Sequence, residues 1–201
     1  MRICVYGAAS TELSEYYLQD AFLLGKALAD RGIGLVFGGG ATGVMGGLAR
    51  GAAAGGGEII GVSPQFFRAD GVLYDGCTRL IYTETMRQRK QQMEDLADAF
   101  IMLPGGMGTL EEFFEILTLE QLGRHTKKIA ILNTHGYYDI LQAWMEQAIA
   151  EGFMREACRN LYFVGNTIDE VLQYACAESE EAPKMPEDYK AVYTQEILEE
   201  M

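Results

Sequence analysis

Residues 99–112 read AFIMLPGGMGTLEE, and this stretch decides the fold class. The first five residues are a short apolar run, which is typical of a buried strand, and a glycine-rich turn follows them. From Thr109 onwards the pattern is helical, because apolar residues recur at steps of three or four. A buried strand, a tight turn and an amphipathic helix in succession predict one unit of an α/β fold.

The same alternation runs along most of the chain. The predicted strands are Ile3–Tyr6, Gly34–Phe37, Glu58–Val62, Leu80–Tyr82, Ala99–Leu103, Ile129–Leu132 and Leu161–Val164. Helical patterns occupy residues 13–28, 43–54, 84–97, 109–122, 138–151 and 167–176. Continuous apolar strands separated by helices predict a doubly wound α/β domain, a parallel sheet of about seven strands with helices on both faces. In such a sheet ligands bind at the carboxyl ends of the strands, so the loops that follow the strands are the candidate site.

Composition and charge exclude several classes of protein. The chain has 201 residues, of which 49% are hydrophobic and 22% charged, as in a globular domain rather than a disordered or fibrous chain. No apolar run approaches the 18 or so residues of a membrane span, so we expect no membrane association. The net charge of −13 argues against a nucleic-acid partner, which requires a basic surface.

The acidic residues are concentrated at one end of the chain. Residues 178–201 contain eight acids and two bases and contribute −6 to the net charge. We therefore predict a single nucleotide-binding domain over residues 1–177 and an acidic tail over 178–201. The tail is either solvated or carries a short docking helix.

The cysteines and histidines do not suggest a metal site. Four cysteines are scattered without a C-x-x-C pair, and the amino terminus shows no signal segment, so we expect free thiols and a cytoplasmic location. His125 and His135 are too few and too isolated to hold zinc. We expect both to be loop or surface residues, and we expect no metal or cofactor.

Two glycine-rich loops follow predicted strands, and the first covers residues 38–47. It contains G-x-G-x-x-G at Gly38, Gly40 and Gly43 and opens a predicted helix. Glycines let backbone N–H groups approach an anion, so the loop predicts a phosphate site, with a purely structural tight turn as the alternative. The next strand has no acid at its carboxyl end, which argues against a dinucleotide, and the P-loop lysine is missing.

The second loop covers residues 104–112 and contains three glycines among its first five residues. Thr109 and Glu112 match a capping box, in which Thr109 is the N-cap and Glu112 caps the helix. Helical geometry, however, places Glu112 within the apolar face of its helix, as a positioned functional group would be. Glu120 projects onto the same face but lies two turns further from the loop. With both loops counted, we expect the glycine excess to be largely a phosphate cradle.

An arginine occupies a corresponding place on another predicted helix. Over residues 84–97 Arg89 falls within a narrow apolar stripe and Lys90 at its edge. A buried guanidinium requires an anionic partner, because an unpaired buried charge is costly. The partner is either a carboxylate such as Glu112 or a substrate phosphate.

Three segments together resemble one known family. Residues 104–112 match P-G-G-x-G-T-x-x-E, residues 86–90 match M-x-x-R-K, and residues 38–46 match G-G-G-x-x-G-x-M-G. These motifs are similar to those of the LONELY GUY family, cytokinin riboside 5'-monophosphate phosphoribohydrolases long mislabelled as lysine decarboxylases. The similarity extends from about Ile3 to Phe153.

The resemblance implies a Rossmann-like domain that forms a homodimer and hydrolyses the N-glycosidic bond of a nucleoside 5'-monophosphate, AMP or N6-modified AMP. It implies Arg89 and Glu112 as the catalytic pair. Thr118, away from the core face of its helix, suits a pocket completed near the dimer interface. The substrate-binding residues implied are Gly39, Gly40, Gly43, Met86, Lys90, Gly105, Gly106, Met107, Gly108, Thr109, Glu111 and Thr118.

The sequence departs from the family at positions that bear on base preference. The first strand ends in YGAAS at residues 6–10, where a Cys-Gly-Ser-Ser is common, the connection 65–76 has no glutamate, and Leu119 replaces a common tryptophan.

Two other functions are alternatives to hydrolysis. One is a non-catalytic nucleotide- or cofactor-binding carrier on the same scaffold, similar to molybdenum cofactor carriers, which does not need both Arg89 and Glu112. The other, lysine decarboxylation, requires a lysine that binds pyridoxal phosphate, and neither glycine loop contains one.

Overall fold

The computed structural model of the chain describes residues 1–69 and 71–177. The acidic tail 178–201 and its candidate docking helix lie outside the described residues, so the predicted division of the chain stays a prediction.

The centre of the molecule is a seven-stranded, wholly parallel sheet in the order β4-β3-β2-β1-β5-β6-β7. The strands are β1 (Arg2–Tyr6), β2 (Gly34–Phe37), β3 (Ile59–Pro64), β4 (Arg79–Thr83), β5 (Ala99–Met102), β6 (Lys128–Leu132) and β7 (Phe163–Gly165). Each overlaps a predicted strand, and the observed and predicted ends agree to within two residues. The predicted doubly wound, Rossmann-like α/β fold is confirmed.

Six helices cover the two faces of the sheet. They are α1 (Glu15–Asp30), α2 (Gly43–Ala54), α3 (Met86–Leu96), α4 (Met107–Gln121), α5 (Asp139–Ala150) and α6 (Ile168–Ala175). One buried core joins the sheet to α1, α2 and α6, and a second joins it to α3, α4 and α5. None of the helices in the described part of the chain is both long enough and apolar enough to span a bilayer.

The close contact between α1 and α2 accounts for several glycines. A Cβ at Gly25 would lie 2.0 Å from the carbonyl oxygen of Leu48, and a Cβ at Gly51 would lie 1.9 Å from that of Phe22. Gly47, inside the first glycine loop, meets the Leu18 carbonyl in the same way. Part of the glycine excess therefore serves helix packing rather than a phosphate cradle, because these glycines let two helix backbones approach.

The amino terminus of α4 also differs from its prediction. The helix begins at Met107 with Gly106 as N-cap, so Thr109 is not the N-cap and makes no capping box. Thr109 is instead buried in the first turn, and its hydroxyl would lie 2.1 Å from a Cβ at Gly105. Gly105 is thus required by the side chain that packs on it.

Candidate active site

A cavity of about 590 Å³ lies at the carboxyl ends of the strands. It sits where β2 and β5 flank β1 on opposite sides, the switch point at which doubly wound sheets bind ligands. The described residues that line it are Gly7, Ala8, Ala9, Ser10, Gly38, Gly40, Thr42, Met45, Ser63, Phe67, Gly71, Val72, Leu73, Met86, Arg89, Gly106, Gly108, Thr109, Glu111 and Glu112. Its size suits a small-molecule ligand such as a nucleotide.

Arg89 and Glu112 meet at this cavity. Arg89 Nη1 lies 2.9 Å from Glu112 Oε1, and both side chains are nine-tenths buried. Arg89 Nε also donates to the carbonyl oxygen of Val62 at 3.1 Å. Of the two partners considered for Arg89, the structure supplies the carboxylate, and Glu112 pairs with another helix instead of capping its own.

Burial sets the electrostatics of this pair. It raises the pKa of Glu112 above its ordinary value, and the charge of Arg89 acts in the opposite direction without cancelling the effect. The result is a carboxylate with little hydration and one fixed cationic partner. Such a group is suited to stabilising positive charge that develops on a ligand.

Lys90 lies beside the pair but points to another partner. Its ammonium contacts Glu111 and lies 2.9 Å from Glu115 Oε2, so it joins α3 to α4. Burial acts to lower the pKa of Lys90, but hydrogen bonds to both carboxylates outweigh it and the pKa lies above its ordinary value. Lys90 remains charged.

The cavity brings together part of the predicted site. Besides Arg89 and Glu112, the predicted residues that line it are Gly40, Met86, Gly106, Gly108, Thr109 and Glu111. The predicted residues outside its described lining are Gly39, Gly43, Lys90, Gly105, Met107 and Thr118. Thr118 is exposed on α4, beyond Glu111 and Glu115 on the same side of the helix.

The two helix amino termini near the cavity differ in their surroundings. At α2 the backbone N–H of Met45 donates to the Ala8 carbonyl, and the Thr42 hydroxyl donates to the Ala9 carbonyl. The loop after β1 therefore covers the start of α2. At α4 the first turn opens to the cavity through Gly106 and Gly108. Its first N–H groups have no partner within the helix and are available to an anion.

Sequence reasoning missed one wall of the cavity. Ser63 is the last residue but one of β3 and is buried against the cavity, a position that the rule of carboxyl strand ends indicates. Phe67, Val72 and Leu73 carry no such signal. They reach the cavity because the connection after β3 folds back onto the loop after β2. There the backbone N–H of Ala41 donates to the Val72 carbonyl.

The two histidines differ from each other. His125 is buried, its Nε2 lies 2.9 Å from the Ile116 carbonyl oxygen, and burial lowers its pKa. Both positions agree with the expectation of a loop or surface residue, since His125 lies in the loop between α4 and β6, although it is buried there, and His135 is exposed. Residues 1–69 and 71–177 contain no group of three His, Cys, Asp or Glu side chains placed to hold a metal ion.

Fold and site define a class of α/β protein with a ligand cavity at the switch point and a buried arginine–carboxylate pair beside a helix amino terminus. A family model described as "Possible lysine decarboxylase" matches residues 45–175. A probable cytokinin riboside 5'-monophosphate phosphoribohydrolase of Oryza sativa subsp. japonica is 40% identical over 161 residues, covering 80% of this chain and 71% of that protein. A cytokinin riboside 5'-monophosphate phosphoribohydrolase of Arabidopsis thaliana is 37% identical, covering 86% and 81%.

The chain belongs to the LONELY GUY family of phosphoribohydrolases. Among solved structures, it is similar in fold to the molybdenum cofactor binding protein of Rippkaea orientalis, with a TM-score of 0.67, 22% identity, and coverage of 86% of this chain and 93% of that one. The molybdenum cofactor carrier protein of Chlamydomonas reinhardtii gives a TM-score of 0.63 and 22% identity, with the same coverage.

Proposed function

We propose that this protein hydrolyses the N-glycosidic bond of a nucleoside 5'-monophosphate, AMP or N6-modified AMP, to the free base and ribose 5-phosphate. The observation that carries the proposal is the buried contact between Arg89 and Glu112 at the cavity. The named relatives support the reaction class, since they are phosphoribohydrolases of cytokinin riboside 5'-monophosphates.

Glu112 is assigned two tasks in this reaction. As the bond to the base breaks, positive charge grows on the ribose ring and negative charge on the base, as in glycoside hydrolysis generally. A carboxylate near C1' stabilises the ribose cation and accepts a proton from the attacking water. The raised pKa of Glu112 makes it a better proton acceptor than an exposed glutamate.

Arg89 cannot serve as the base, since a guanidinium stays protonated at any working pH. Its contact with Glu112 orients that carboxylate and favours its ionised form. The remaining donors of Arg89 are assigned to the ribose phosphate or to the departing base.

The 5'-phosphate is placed against the first turn of α4. Backbone N–H groups of Gly106, Met107, Gly108 and Thr109 begin this helix, and the helix dipole adds attraction for an anion. Glycines at two of these positions let a phosphate approach the backbone closely. Gly39, Gly40, Gly43, Met86, Lys90, Gly105, Glu111 and Thr118 remain proposed binding residues.

A second candidate function is binding without catalysis. The similarity to molybdenum cofactor proteins, at 22% identity, establishes the shared fold, and that scaffold serves a carrier as readily as an enzyme. A carrier does not require a buried base beside a fixed guanidinium. The geometry of Arg89 and Glu112 therefore favours hydrolysis.

The test is the release of base from AMP and from a panel of N6-substituted and other nucleoside monophosphates, measured by chromatography. We expect Glu112→Gln and Arg89→Ala each to lower kcat/KM at least about 100-fold while both variants stay folded. Matched controls are Glu151→Gln and Arg87→Ala, which alter exposed side chains away from the cavity. A folded wild type that binds AMP but releases no base from any monophosphate contradicts hydrolysis and favours the carrier.

We also propose a homodimer and a cytoplasmic location. An exposed apolar pair on α5, Ile140 and Trp144, supports self-association, since adjacent exposed apolar residues can form a patch that a partner covers. The cysteines Cys4, Cys77 and Cys158 are unpaired, as is typical of a reducing compartment.

A further inference from the structure

Two consecutive tyrosines hold the loop between β5 and α4. The hydroxyl of Tyr138 donates to the Leu103 carbonyl at 2.8 Å, and the hydroxyl of Tyr137 donates to the Gly105 carbonyl at 2.9 Å. Tyr138 is buried, whereas Tyr137 is 43% exposed. The two side chains reach the loop from the residues just before α5, a different part of the chain.

The carbonyl of the residue between Leu103 and Gly105 also accepts a hydrogen bond. Pro104 accepts a hydrogen bond from the backbone N–H of Ala8 at 3.3 Å. Three successive carbonyls, those of residues 103, 104 and 105, are therefore committed to donors within the protein.

The orientation of the last carbonyl matters most for the cavity. A planar trans peptide directs its C=O and the following N–H to opposite sides, so a fixed Gly105 carbonyl fixes the Gly106 N–H. Gly106 lines the cavity, whereas neither Gly105 nor Tyr137 is among its described lining residues. The Gly106 N–H therefore lies on the side of the peptide opposite the carbonyl that Tyr137 holds. Two adjacent glycines resist rotation of this peptide only weakly, so an external hydrogen bond is needed to hold it.

We propose that Tyr137 is a positioning residue for the anion site. Its hydroxyl holds the Gly105–Gly106 peptide so that the Gly106 N–H faces the phosphate of the substrate. This inference rests on the proposed function, because it requires a phosphate-bearing ligand at the start of α4.

The hydroxyl can be removed without disturbing the packing of the ring. The ring of Tyr137 contacts Tyr138, with centroids 4.8 Å apart, and Tyr17, with centroids 5.6 Å apart. A phenylalanine keeps both contacts and loses only the hydrogen bond. Tyr16 is the matched control, since it is equally exposed at 43% and belongs to the same aromatic cluster, where its ring contacts Tyr17 and His135.

The experiment compares wild type, Tyr137→Phe and Tyr16→Phe. Calorimetric titration gives the affinity for ribose 5-phosphate and, in parallel, for adenosine, which lacks the phosphate. We expect Tyr137→Phe to weaken ribose 5-phosphate about tenfold and to leave adenosine binding unchanged, whereas Tyr16→Phe changes neither. With AMP as substrate, KM rises by a similar factor and kcat stays the same. In wild type, ribose 5-phosphate also shifts the Gly106 amide resonance, and this shift is reduced in Tyr137→Phe.

Three results overturn the proposal. They are equal affinity of wild type and Tyr137→Phe for ribose 5-phosphate, an equal loss for ribose 5-phosphate and adenosine, and no binding of ribose 5-phosphate by wild type. If wild type binds ribose 5-phosphate in the expected way but releases no base, the hydrolase proposal fails and the role of Tyr137 stands.

Discussion

The position of Arg89 depends on what surrounds its guanidinium. Nε is fixed by the Val62 carbonyl and Nη1 by Glu112, while Nη2 occupies the space beside Gly38. A Cβ at Gly38 would lie 2.0 Å from that nitrogen, too close for both to remain. The backbone of Gly38 is outside the left-handed region, so the contact with Arg89 is what selects glycine there.

Gly38→Ala therefore tests the site without a substitution at Arg89 or Glu112, the proposed catalytic pair. The added methyl group displaces the guanidinium from Glu112, and we expect kcat/KM for AMP to fall about 100-fold. Base release and thermal unfolding are measured together. Unchanged kcat/KM in the folded variant contradicts the assigned role of Arg89, and loss of folding assigns Gly38 to the core instead.

Glu120 is a second buried carboxylate, on α4 away from the cavity. Its Oε2 has no hydrogen-bond partner within residues 1–69 and 71–177, and burial raises its pKa from 4.5 to about 8, against a smaller opposing effect of Lys128. The folded protein thus binds a proton there that the unfolded chain releases near pH 4.5. Stability from this group is lost as pH rises from about 4.5 to 8.

Glu120→Gln removes this dependence. We expect the free energy of unfolding to increase by about 1 to 3 kcal/mol at pH 8.5 and to change little at pH 4. Urea unfolding at pH 8.5 and at pH 4 measures the free energy of unfolding under both conditions. The exposed Glu151→Gln is the control. An increase of the same size at both pH values argues against titration of Glu120.

Several site residues could be predicted because their signal is local. The helical period alone places Arg89 and Glu112 on apolar faces, and both are buried. Phe67 and Leu73 were missed, since they reach the cavity through a long connection that pairs with the loop after β2. The return path of such a connection is a tertiary property, which no local pattern encodes.

At the scale of elements, the packing of α1 on α2 brings the backbones of two helices into close contact. The backbone of Gly51 approaches the Phe22 carbonyl so closely that a Cβ would lie 1.9 Å from the oxygen. Because the obstacle is backbone and not the end of a flexible side chain, one of the two helices has to move.

We expect Gly51→Ala to lower the free energy of unfolding by about 1 to 3 kcal/mol, the usual cost of overpacking a core. The matched control is Gly108→Ala, also within a helix, where an added Cβ meets nothing within 4 Å. At Gly108 we expect alanine to raise the free energy of unfolding by up to about 1 kcal/mol, because it restricts the unfolded chain. Chemical denaturation measures the free energy of unfolding of both variants. Equal values for the two variants rule out the packing role of Gly51.

The presence of the helices and strands was predictable from the sequence, whereas the residue at which each one begins was less so. Capping boxes form at Thr85 with Gln88 and at Thr167 with Glu170, both readable as Thr-x-x-Gln or Thr-x-x-Glu. Thr109 has the same signature and no such role. Gly106 turns the chain into the helix three residues earlier, and the Thr109 side chain is then buried against Gly105.

For the whole molecule, strand order explains why one cavity receives residues from distant segments. The sheet grows from β1 in both directions, so the loops after β1, β2 and β5 meet at one edge. The sequence predicted this edge but not the order of the strands, which depends on how the crossovers pack. The outer surface of α5 lies apart from the cavity, so the cavity does not explain the exposed apolar residues on this helix.

Ile140 is 85% exposed and Trp144 53% exposed, one helical turn apart on α5. Burial of this pair against a second copy removes both from water, so we expect Ile140→Lys to weaken a homodimer about 30-fold, the effect of losing a central interface residue. Sedimentation over a range of concentrations measures the dissociation constant. The control is Leu23→Lys, which places the same charge on an apolar residue of α1, 45% exposed and on the opposite face of the sheet. A dimer that both variants preserve places the interface elsewhere, whereas a monomeric wild type leaves the α5 surface without the proposed partner. If Ile140→Lys yields a folded monomer that also loses base release, the cavity depends on the second copy.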